Sequence, residues 1–122
     1  MQYQGYQSVQ KETSGGGRNL EREVLERITM RLRGARENAG AGGARRREAL
    51  DDNRKLWLTF ASDLANPQNN CPDDVKAALI SIAAYVEKNT GAAIRDNEVL
   101  AGFVEINSNI IAGLGQASRE AA

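Results

Sequence analysis

From Pro72 to Asn89 the chain reads PDDVKAALISIAAYVEKN, and its apolar residues return every three or four positions. That spacing matches the turn of an α-helix, and it does not fit the two-residue alternation of a half-buried strand. The same spacing recurs in three other stretches, set apart by Gly-rich or Asn-Pro breaks, and no stretch alternates as a strand with hairpin turns. A chain of 122 residues has room for one compact core. We therefore expect an all-α fold, a small single-domain bundle of about four helices with a disordered N-terminal tail.

Local signals place the helices. Residues 1–17 are rich in Gln and Gly and carry no periodicity, so they read as a flexible tail. A first helix is expected from about Asn19, with Leu20, Val24, Ile28 and Leu32 along one stripe and Leu25 widening it. Its early Glu21, Glu23 and Glu26 and late Arg31 and Arg33 suit the helix dipole. Residues 34–43, GARENAGAGG, carry too much Gly for a stable helix interior and read as a loop. The second helix is expected from Ala44 to Ala65, with Leu50, Trp57, Phe60 and Leu64 as its stripe, Leu56 and Ala61 beside it, and Asn53 inside it. Asn66-Pro67 ends it. The third is capped by Asn70 or Cys71, with Pro72 at its first position and Asp73 and Asp74 at its positive end. Val75, Leu79, Ile82 and Val86 form its face, Ala78, Ala83 and Tyr85 flank it, and Asn89-Thr90-Gly91 stops it. The fourth runs from Asp96 to Leu114 on Val99, Phe103, Ile106 and Ile110, with Leu100, Ile111 and Leu114 alongside and Asn107 between them. The domain is thus expected over 18–115, with 116–122 fraying.

The chemistry that the chain carries is sparse. It has no His, which removes the commonest general base and the usual nucleophilic triads and mixed zinc sites. Its one Cys, Cys71, has no partner for a disulfide and reads as structural. We expect no catalytic residue, no metal and no cofactor. Trp57 reads as a core anchor whose indole N–H could be met by Asn53 one turn away. Asp63 reads as a cap for the following turn or a partner for a base. Asn53 and Asn107 could face each other, which would fix how the second and fourth helices pack.

Lys and Arg total 16 and Asp and Glu 16, so the chain is neutral and lacks the surplus positive charge of a general nucleic-acid binder. Residues 1–50 are nonetheless at +4 and residues 51–122 at −4. The arginines at 31, 33, 36 and 45–47 read as a solvated basic face, with no aromatic residues interleaved to stack bases. Gly40 to Gly43 lacks the Lys-Ser/Thr that completes a phosphate loop. No membrane span and no leader is recognisable, so a cytoplasmic, membrane-free protein is expected.

Three segments in order, NRKLWLTFASDLANPQN, CPDDVKAALISIAAYVEKNT and FVEINSNIIAGL, resemble the FlaF family of flagellar biosynthesis regulators from alphaproteobacteria. The residues that carry the resemblance are Asn53, Leu56, Trp57, Asp63 and Leu64; Pro72, Leu79, Ile80 and Ile82; and Ile106, Asn107, Ile110, Gly113 and Leu114. Cys71 departs from the family, where Leu commonly precedes the Pro. The resemblance implies a helper that binds flagellin, promotes its synthesis and export, and works opposite a second regulator, FlbT. A flagellin helix could then lie in a groove between helices. We expect that groove between the first and last helices. Leu20, Val24, Ile28 and Leu32 would line one wall, Phe103, Ile106, Asn107, Ile110 and Leu114 the other, and Trp57 and Phe60 the floor. Two further readings stay open: a post-transcriptional regulator reaching flagellin mRNA or an FlbT-like protein through the arginines at 31–47, and an enzyme. A second copy of the chain could also cover an apolar stripe.

Overall fold

The structure, a computed structural model, describes residues 14–37 and 43–121, and the side chains of 22–37 and 43–113. These residues form four helices: α1 (Ser14–Glu37), α2 (Gly43–Ala65), α3 (Asp73–Ala93) and α4 (Asn97–Ala121). There is no strand among them. Each of α1 and α3 packs against both α2 and α4, so α2 and α4 lie across the bundle from each other. Arg31 reaches Asp52, Arg54 reaches Glu87 and Tyr85 meets Phe103, so chain neighbours run antiparallel. The result is an up-down-up-down four-helix bundle.

The core holds Leu25, Ile28 and Leu32 of α1, Ala49, Leu50, Leu56 and Trp57 of α2, Ala83, Val86 and Ala93 of α3, and Leu100, Phe103 and Val104 of α4. The periodicity is the one read from the sequence, but its phase differs. A four-residue step overshoots one helical turn by about 40°, so residues spaced strictly by four spiral off the buried face. Alternating three- and four-residue steps stay on it. On α1 the interior positions are therefore Leu25, Ile28, Thr29 and Leu32, while Val24 sits at the edge. On α4 they are Leu100, Phe103, Val104 and Asn107, while Val99, Ile106 and Ile110 move to the rim.

Helix ends also differ where tertiary contacts outweigh propensity. α1 begins at Ser14, inside the segment read as a tail, and continues through Gly34 to Glu37, because Ala35 still packs against the core. α3 runs past Asn89-Thr90-Gly91 to Ala93. Asn89 Nδ2 donates to the Tyr85 carbonyl at 2.8 Å and Thr90 Oγ1 to the Val86 carbonyl at 2.6 Å, so both side chains bond back into the helix instead of breaking it. α4 continues through residues 116–121, where fraying is expected from the sequence.

The connection between α2 and α3 behaves as its composition dictates. Asn66 Oδ1 accepts from the Gln68 N–H at 2.9 Å and Asn69 Oδ1 from the Cys71 N–H at 2.9 Å, two Asn turns in succession. Asp63 Oδ2 accepts from Asn69 Nδ2 at 3.3 Å, so Asp63 does tie down the turn after its helix. Pro72, expected inside α3, is its N-cap residue, with φ −56° and ψ 145° and no side-chain cap bond. At the other end, Asp96 Oδ1 accepts from the Glu98 N–H at 2.9 Å and caps α4.

Candidate protein-binding surface

Three side chains cross the middle of the bundle. Trp57 Nε1 donates to Asn107 Oδ1 at 2.9 Å, and Asn107 Nδ2 donates to Asn53 Oδ1 at 2.8 Å. All three are shut off from solvent. The two asparagines do face each other, and the relay locks α2 to α4 across the bundle diagonal. The indole partner differs from the sequence expectation: it is Asn107 on α4, not Asn53 on the same helix. Residues one turn apart on a helix project side by side, whereas Asn107 comes in from the opposite helix toward the indole edge. Asn53 Nδ2 has no hydrogen-bond partner. The Trp57 ring also meets Phe60 edge to face, with centroids 5.5 Å apart.

This arrangement closes the expected groove. α1 packs directly on α4, and Ile28, Leu32, Trp57, Phe103 and Asn107 are interior residues of the bundle. A partner helix cannot touch them while the bundle is assembled. Val24, Phe60, Ile106 and Ile110 are half-buried at the rim, packed against the core on one side and reachable on the other. The side chains of Leu20 and Leu114 lie outside the described ones, as do residues 1–13 of the expected tail.

The arginine run at the start of α2 divides. Arg45 and Arg47 are exposed. Arg46 is buried, and its Nε and Nη2 donate to the Ala93 carbonyl at 3.1 and 2.7 Å while Nη1 donates to Asn97 Oδ1 at 2.7 Å. A cation on the last carbonyls of α3 is where the helix dipole favours one. Nothing local signals this role, since the three arginines are identical in sequence and only the helix phase selects the middle one. Arg31 pairs with Asp52 at 2.7 Å, and Arg33 donates to Ser108 at 2.9 Å. Much of the supposed basic face thus holds helices together. On the outer side of α2, Lys55 and Arg54 hydrogen-bond the Asp51 carboxylate and hold it below the usual carboxylate range, with burial opposing them.

One apolar feature escaped the sequence reading. Between the outer faces of α2 and α3 lies a groove of about 340 Å³, lined by Leu58, Ala61, Ile80, Ala83 and Ala84, with Glu87 and Lys88 at one end. It is open to solvent, as a docking surface is, and does not enclose a small molecule. Its signal was available: from Val75 to Val86 only Lys76 and Ser81 interrupt an apolar run, so α3 is apolar on more sides than its core face needs. Among the described residues no group of three or more His, Cys, Asp or Glu could hold a metal ion, and no helix is long and apolar enough to cross a membrane.

A family model described as Flagellar protein FlaF matches residues 2–114. The match reaches back through the segment that the sequence alone sets apart as a tail. Comparison with curated proteins and with solved structures finds no match.

Proposed function

The chain belongs to the FlaF family of flagellar proteins, and we propose that it acts without catalysis, as a flagellin-binding chaperone that promotes flagellin synthesis, export and filament assembly. The observation that carries this reading is the half-exposed apolar rim of a closed bundle. Val24, Phe60, Ile106 and Ile110 are held in place by the core behind them and keep a face for a partner. An amphipathic flagellin helix would lay its apolar stripe along one edge of this rim, that of Ile106 and Ile110, which follow one another a turn apart on α4, with affinity from burial and specificity from helical spacing. The arginine-based RNA reading is less well supported, because Arg31, Arg33 and Arg46 are engaged within the fold.

The test is light scattering coupled to size-exclusion chromatography, with purified monomeric flagellin added to the protein. A stoichiometric complex is expected. Ile110→Asp should abolish it, and Ile110→Ala should weaken it, with the circular dichroism melt of the Ala variant close to that of the parent. Absence of a complex with well-folded protein at micromolar concentrations would refute the reading.

A further inference from the structure

We propose that the groove between α2 and α3 is a self-association surface, and that its occupant is a second copy of this chain, docked antiparallel across α3. The groove is apolar, with Leu58 40% exposed beside Ile80 and Ala84. What singles out a second copy is the charge arrangement on the outer side of α3 that borders the groove, where Lys88 lines the groove and Asp74 and Ser81 lie on the exposed surface next to it. Asp74, Ser81 and Lys88 are exposed and follow one another at heptad spacing, so they share one stripe of α3. Asp74 and Lys88 are equidistant from Ser81, about 10 Å to either side along the axis. A two-fold axis at Ser81 therefore places Lys88 of each copy opposite Asp74 of the other, twice over. Neither residue has an ion-pair partner within the chain among the described residues; Glu87, beside Lys88, is taken by Arg54 at 3.2 Å.

The shape agrees with the charge. Ala77, Ser81 and Ala84 are small and exposed, which lets two α3 backbones approach closely. Leu58 and Ala83 line the same groove, so the two-fold brings Leu58 of one copy level with Ile80 of the other. An isologous contact of this kind closes on itself as a dimer and does not propagate. None of Val24, Phe60, Ile106 and Ile110 lines the groove, so the inference goes beyond the flagellin reading and does not depend on it.

Sedimentation velocity of the protein alone, over a concentration series, tests this. A dimer is expected. Ala84→Arg should yield a monomer whose thermal melt matches that of the parent at concentrations where the parent is dissociated, because Ala84 is exposed and an added side chain there meets solvent in the monomer. Lys88→Asp should weaken association by roughly tenfold. Adding Asp74→Lys to Lys88→Asp reverses both charges and should restore the affinity of the parent. A monomer persisting up to roughly 100 μM would overturn the proposal. So would a dimer indifferent to Ala84→Arg, which would place the contact on another face. So would a monomer whose flagellin binding is lost in Ala84→Arg, which would assign the groove to flagellin.

Discussion

Replacing Asn107 by Ala should damage this protein far more than replacing Asn53 by Ala, although both are buried and of the same type. The reason lies in what each removal leaves behind. In the parent, Asn53 Nδ2 is the one atom of the relay without a partner. Removing Asn107 strands the indole N–H of Trp57 and Oδ1 of Asn53, which it had satisfied at 2.9 and 2.8 Å. Two newly orphaned buried groups cost about 1–3 kcal/mol each, so a loss of about 2–6 kcal/mol is expected before any cavity cost. Removing Asn53 strands Nδ2 of Asn107 but deletes the orphaned Nδ2 of Asn53, so the tally of unpaired atoms does not rise. Its cost should stay near 1 kcal/mol, mainly the vacated volume. The double variant leaves the indole N–H as its one unpaired group. It should therefore be more stable than Asn107→Ala alone, with a coupling of about 2–6 kcal/mol between the sites. Urea unfolding followed by circular dichroism at constant m-value measures all three. Equal costs for the two single variants, or strict additivity in the double, would refute the relay.

Two other outcomes follow from the same structure. Arg46→Met should cost about 2–3 kcal/mol through the lost charged hydrogen bonds to Ala93 and Asn97, whereas Arg45→Ala and Arg47→Ala should stay within about 0.5 kcal/mol, all read by thermal melts. Asp51 has its carboxyl pKa lowered in the folded state by Lys55 first and Arg54 second, so its contribution is complete at neutral pH and is lost as the pH falls through and below the ordinary aspartate range. The groups are exposed, so the effect is small: Asp51→Asn should lower the neutral plateau of a stability-against-pH curve slightly and leave its acid end unchanged, flattening the limb between them.

Helix number, the Asn-Pro turn after α2, the acidic start of α3 and the start of α4 near Asp96 were all legible from residues close together in the chain. Each depends on periodicity, propensity or a side chain reaching its own backbone, and these are properties of a few consecutive positions. The family was legible too, because its pattern is an order of such local motifs. The phase of each stripe was not, because strict four-residue spacing drifts around the helix and only packing shows which side the core takes. Thus Val24, Ile106 and Ile110 were read as equals of Ile28 and Phe103, and the structure separates rim from interior. The Trp57 acceptor and the role of Arg46 depended on residues 50 and 47 positions away. Such partners become neighbours only once α2 meets α4 and the end of α3, so the sequence determined which elements form, and the tertiary structure decided which polar groups within them find each other.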